Sequence, residues 1–168
     1  MGKIVKDRAE LKKIVAQLQK QGKTVVFTNG CFDLIHVGHV RCLRAAKQEG
    51  DMLIVALNDD ESVRKFKRTS GPVAPEDERA EVVAAFEYVD YVTLFSEPSA
   101  DALLDYLRPD VHAKGTDYAY ETVPERNTVL AYGGRIAIVG DPKQHSSSDL
   151  LARVAKRFRA NGKHNNRS

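Results

Sequence analysis

Apolar positions in this chain alternate between two kinds of spacing. Leu11, Ile14, Val15 and Leu18 recur at helical intervals and predict an amphipathic helix over residues 7–21. Asp7 and Glu10 stand at capping-box spacing at its start, and Gly22 lies just past its end. Short continuous apolar runs, too short for helices and rich in β-branched residues, follow at 24–28, 52–57, 91–95, 111–113 and 135–139. Helical patterns separate them, at about 38–48 and then at 60–67, 76–87, 99–107, 124–132 and 148–159. Continuous apolar runs between helices indicate parallel strands buried on both faces. The pattern therefore predicts the α/β class: one doubly wound, five-stranded parallel sheet with right-handed crossovers. Residues 1–160 form the expected domain, and the polar end, residues 161–168, a flexible basic tail.

Composition narrows the function classes. A chain of 168 residues, 42% hydrophobic, suits one domain with one real core. No run of about 18 apolar residues occurs, which predicts no membrane span. The N-terminus, MGKIVKDRAELKK, is charged where a secretion signal needs an apolar stretch. Cys31 and Cys42 are the only cysteines and are expected as reduced thiols in the cytoplasm. The net charge is +3, but six of the 26 Lys and Arg residues and none of the 23 acidic ones lie beyond Leu150. The first 150 residues thus carry 20 basic and 23 acidic side chains. Nucleic acid is not an expected partner, because its footprint would be a basic face across the domain.

In doubly wound sheets ligands bind beyond the carboxyl ends of the strands. The chemistry is therefore expected after each strand. After the first comes Asn29-Gly30-Cys31-Phe32-Asp33-Leu34-Ile35-His36-Val37-Gly38-His39. His36 and His39 fall on one face of a helix start, with Gly38 opening the backbone between them. A helix N-terminus offers N–H groups and partial positive charge to a phosphate, and imidazoles there can donate further hydrogen bonds. Neither GxxxxGK[ST] nor GxGxxG follows the first strand. Two other readings compete: ordinary cap or surface histidines, and a zinc site of Cys31, His36 and His39, with Asp33 the only nearby fourth ligand.

The segment GCFDLIHVGH resembles the signature of the HxGH nucleotidyltransferase superfamily, whose Rossmann-like members join a nucleotide monophosphate to a phosphorylated acceptor and release pyrophosphate. The resemblance extends through residues 24–63, GPVAPEDERAEVVAAFEYVDYV, LRPDVHAKGTDY and YGGRIAIV, over roughly residues 1–155. Within the superfamily it is nearest to the D-glycero-β-D-manno-heptose 1-phosphate adenylyltransferases. It implies adenylyl transfer from ATP to heptose 1-phosphate, giving ADP-heptose for lipopolysaccharide or related surface sugars. Mg²⁺ is implied as the companion of ATP, with no dedicated protein metal ligands. A homodimer and a separate sugar kinase upstream are the implied partners. Three departures from the family pattern stand out: Gly71 before Pro72 where an arginine is expected, Thr116 where a second glycine is common, and Ser146-Ser147-Ser148-Asp149 in place of a Ser-Thr-Thr run. The alternative is a related transferase, such as one using CTP and glycerol 3-phosphate. A non-catalytic nucleotide-binding protein using the basic tail is a second.

The resemblance assigns roles. His36 and His39, with Lys114 after the fourth strand, would act on the phosphates as catalytic groups. Gly30, Cys31 and Phe32 would line the nucleotide, with core packing an equal reading for Phe32. Gly38, Asn58, Gly115 and Asp117 complete the nucleotide and acceptor surface. Asp33 either meets the acceptor or makes a structural bond to backbone N–H. Arg79 either binds phosphate or acceptor or forms an ion pair on its helix. Ser146 and Ser147 precede a helix, as an anion-binding turn or a simple cap. Lys65, Lys67 and Arg68 read as a solvated run or a triphosphate clamp, and Asp59 and Asp60 as caps or ligand contacts.

Overall fold

The computed structural model describes residues 1–66, 71–142 and 147–162. Six parallel strands form one sheet: β1 (Lys3–Ile4), β2 (Val25–Gly30), β3 (Met52–Asn58), β4 (Tyr91–Phe95), β5 (Val111–Gly115) and β6 (Arg135–Val139). Their spatial order is β1-β4-β3-β2-β5-β6. Helices α1 (Arg8–Lys20), α2 (Val37–Lys47), α3 (Asp60–Phe66), α4 (Glu76–Ala84), α5 (Asp101–Leu107), α6 (Arg126–Ala131) and α7 (Ser147–Gly162) lie between or after them, with a short 3₁₀ turn at Tyr120–Thr122.

The sheet is buried on both faces. Val26, Leu53, Val55 and Leu57 point to one side, against Leu43 and Ala46 of α2 and Ala80 and Val83 of α4. Val25, Phe27, Ile54 and Ala56 point to the other, against Leu11 and Val15 of α1, Leu103, Leu104 and Leu107 of α5 and Val129 of α6. Alternate residues of each strand thus feed two cores, which is why the runs are apolar without alternation. The α/β, doubly wound expectation holds.

The strand count differs from the five expected. Strand β1 is two residues long and pairs only with β4, Lys3 opposite Tyr91 and Ile4 opposite Val92. Two residues carry no period, and the charged surroundings of Lys3 hide the pairing. The approach is close: a Cβ on Gly2 would meet the Val89 carbonyl oxygen at 2.6 Å. Helix α1 starts where expected, with Asp7 accepting from Ala9 N at 2.7 Å and Glu10 N at 3.1 Å. On α7, Leu151, Val154 and Phe158 stand exposed.

The strand order sets the site. From central β2 the chain proceeds to β3 and β4 on one side, then crosses to β5 and β6 on the other. The switch lies between β2 and β5, whose carboxyl ends diverge to leave a crevice.

Candidate active site

A cavity of about 460 Å³ occupies that crevice. Its wall includes Gly30, Cys31, Phe32, His36, Gly38, His39, Asn58, Lys114, Gly115 and Asp117, so the structure brings together residues that the chain spreads over 88 positions. Among the described residues Asp33, Asp59, Asp60, Lys65 and Arg79 are not part of the lining. Asp33 turns its carboxylate away to accept from Val73 N at 2.8 Å and Ala74 N at 3.0 Å, pinning the segment before α4 to the β2–α2 loop. Arg79 lies behind the wall with its side chain wholly buried. Its Nε donates to Ala74 O at 3.0 Å and its Nη2 to Asn58 O at 2.9 Å and Asp60 Oδ1 at 2.8 Å, while Nη1 donates to Cys31 O. Ser146, Lys67 and Arg68 lie outside the described residues, as does the side chain of Ser147.

The two histidines cap α2 reciprocally. Gly38 N donates to His36 Nδ1 at 3.2 Å, and His36 N donates to His39 Nδ1 at 3.3 Å. The rings stack 3.9 Å apart at their centroids. Two uses of the motif, capping and phosphate contact, are therefore compatible. With Nδ1 accepting from backbone, a neutral imidazole carries its proton on Nε2 and presents a donor from the opposite side of the ring. Burial, with a smaller contribution from neighbouring His36, pushes His39 down to about 4. His39 is thus a neutral donor at physiological pH. Among the described residues no group of three or more His, Cys, Asp or Glu is arranged to hold a metal ion, Cys31, His36 and His39 included.

The loop leading to this cap is tightly built. Phe32 adopts φ +48°, in the left-handed region, and is 8% exposed. Its ring lies so close to Gly30 that a Cβ there would meet it at 3.0 Å, and it packs 5.2 Å from the His39 ring. Core packing and cavity lining are one role for Phe32, since the ring buttresses His39. Cys31 Sγ donates to Asn58 Oδ1 at 3.7 Å, joining the ends of β2 and β3. Burial, helped by Asp117, pushes the Cys42 thiol up to about 11, so it stays protonated beside the cavity.

On the β5 side Lys114 is 6% exposed. Its Nζ donates to Asn29 Oδ1 at 3.0 Å, lies 3.3 Å from each Glu125 carboxylate oxygen, and sits 5.0 Å from the Tyr118 ring centroid. His112, fully buried, places Nε2 3.0 Å from Asn29 Oδ1, and burial pushes it down to about 3. Sequence reasoning missed Asn29, His112 and Glu125. A signal existed: His112 and Lys114 are two apart on a buried strand and so face the same way. Across the mouth Arg41 pairs with Asp141 at 2.7 Å, and a Cβ on Gly115 would collide with Asp117 Oδ1 at 2.8 Å.

A parallel doubly wound sheet with a histidine-capped helix at its switch point defines a nucleotide-binding class. Residues 27–156 match the family described as Cytidylyltransferase-like, and the chain belongs to it. It is 43% identical over 151 residues to the bifunctional protein HldE of Syntrophotalea carbinolica, and 42% identical over 154 residues to that of Geobacter sulfurreducens. Those alignments cover 90% and 92% of this chain but 31% of each relative, so the chain spans about a third of their length. The fold is shared with a lipopolysaccharide core biosynthesis protein from Thermoplasma volcanium (TM-score 0.61, 23% identity, 72% of this chain and 100% of that one). It is shared too with a pantoate-beta-alanine ligase from Francisella tularensis (TM-score 0.56, 16% identity, 88% of this chain and 69% of that one).

Proposed function

We propose that the chain transfers the adenylyl group of ATP to D-glycero-β-D-manno-heptose 1-phosphate, giving ADP-heptose and pyrophosphate. The observation that carries the reading is the reciprocal His36–His39 cap facing the cavity, in a chain of this family that resembles the heptose 1-phosphate adenylyltransferases over nearly its whole length. A phosphate oxygen of the acceptor attacks the α-phosphorus in line, and the bond from that phosphorus to the pyrophosphate oxygen breaks. The acceptor dianion needs no general base, so the protein's task is to position the reactants and neutralise charge. The Nε2–H groups of His36 and His39 and the N-terminus of α2 donate to the charge gathering on the α-phosphoryl group and the leaving pyrophosphate. Lys114 supplies a positive charge from the opposite wall.

Mg²⁺ would supply further charge neutralisation on the triphosphate. Asp117 and Asp141, the latter paired with Arg41, are carboxylates at the cavity that would face it, and such an ion keeps several waters and needs few protein ligands. A cytoplasmic location, a homodimer and an upstream sugar kinase belong to the same proposal. No described helix is long and apolar enough to cross a membrane. The test is pyrophosphate release from ATP or CTP with a panel of sugar and polyol phosphates. ATP with heptose 1-phosphate is expected to give the highest kcat/KM; turnover with CTP and glycerol 3-phosphate but none with ATP refutes the reading.

A further inference from the structure

The cavity contains a carboxylate where an anionic substrate is proposed to bind. Glu125 is 3% exposed and lines the cavity, although a buried negative charge repels phosphate and is costly to desolvate. Its surroundings account for it. Lys114 Nζ lies 3.3 Å from both its oxygens, and Asn29 Nδ2 donates to Oε1 at 3.4 Å. Asn29 Oδ1 accepts from Lys114 and from His112 Nε2, each at 3.0 Å. One orientation of the amide satisfies all these partners: oxygen toward the two donors, nitrogen toward the carboxylate.

We propose that Glu125 is a positioning residue for Lys114, acting with the Asn29 amide and the His112 imidazole as a buried cradle that fixes where the ammonium sits and keeps it charged. The two anchors come from different elements, Asn29 from β2 and Glu125 from the start of α6, so the ammonium is held from two directions across the β2–β5 switch. Of the other titratable groups on this wall, His112 is a neutral donor, Cys42 stays protonated, the Tyr118 ring contributes its face and His39 is neutral, while Asp117 is a second carboxylate with Oδ1 beside the Gly115 backbone. The consequence for Lys114 as a phosphate contact rests on the functional reading above; the cradle itself does not.

The test is side-chain NMR of Lys114 in protein labelled at lysine Cε and Nζ, assigned with K114M, in the absence of any substrate. Glu125→Gln keeps the shape and one acceptor but removes the charge. Its Lys114 pKa is expected to fall by about one to three units relative to the parent, as loss of a neighbouring opposite charge dictates. Glu125→Asp keeps the charge and is expected to restore at least half of that shift. The alkaline limb of the pH–kcat/KM profile is expected to move in the same direction as the Lys114 pKa in each variant. A Lys114 pKa in E125Q equal to the parent's overturns the cradle. So does failure of both E125Q and E125D to fold, which would make Glu125 a scaffold residue. A shifted Lys114 pKa with no turnover on any sugar phosphate leaves the cradle standing and refutes the functional reading instead.

Discussion

Replacing His36 or His39 with alanine is expected to lower kcat by about 10²–10³-fold, the range for deleting one preorganised donor to transition-state charge. Each imidazole also caps α2 through Nδ1, so each variant is expected to lose about 1 kcal/mol of stability as well. The two effects separate by measurement. Urea denaturation reads the cap. Steady-state turnover at a temperature where both variants remain folded reads the Nε2 donor. Nucleotide affinity, by calorimetry with a non-hydrolysable ATP analogue, is expected to fall far less than kcat, because the donors act most strongly on charge that develops in the transition state. The double variant is expected to lose less than the product of the single losses, since the rings act as one stacked unit, 3.9 Å apart. Near-normal kcat with reduced stability would leave the motif as a helix cap alone.

Arg79 carries the second large effect. Its guanidinium binds Ala74 O, Cys31 O, Asn58 O and Asp60 Oδ1, so one side chain ties the ends of β2 and β3 to α3 and to the segment before α4. Arg79→Met fills similar volume but strips four acceptors of a fully buried charged donor, three of them backbone carbonyls and the fourth the partly exposed Asp60 carboxylate. The expected loss is about 3–5 kcal/mol, a large share of the roughly 5–15 kcal/mol that stabilises a domain. Equilibrium urea unfolding measures it. An arginine serving mainly as a ligand contact would give the other pattern: stability changed by less than about 1 kcal/mol, with substrate KM raised. Cys31 and Asn58 line the cavity, so R79M is also expected to raise KM through displacement of their backbone.

Much of this was legible along the chain, for identifiable reasons. Strands at 52–57, 91–95 and 135–139 could be read because burial on both faces leaves an unbroken apolar run. His36 and His39 could be singled out as candidates because a phosphate site at a helix N-terminus calls for donors within one turn. Strand order could not be read, since the crossing from β4 to β5 is decided by how helices cover two faces. Strand β1 was hidden by its length. Arg79 reads along the chain as a phosphate or acceptor contact or as an ion pair on its helix, whose first turn is charged at Glu76, Asp77 and Glu78, and only the fold shows that the fourth residue turns inward. Asn29 and Glu125 lie 96 positions apart, and their meeting at Lys114 exists only in three dimensions.

In the proposed reaction an oxygen of the acceptor's phosphate attacks the α-phosphorus of ATP in the histidine-capped crevice. Heptose 1-phosphate labelled with ¹⁸O in its non-bridging phosphate oxygens tests it directly, with ³¹P NMR isotope shifts read on both products. The predicted result is ¹⁸O in the bridge between the two phosphorus atoms of ADP-heptose and none in the released pyrophosphate. An unlabelled bridge, or label in the pyrophosphate, would contradict it.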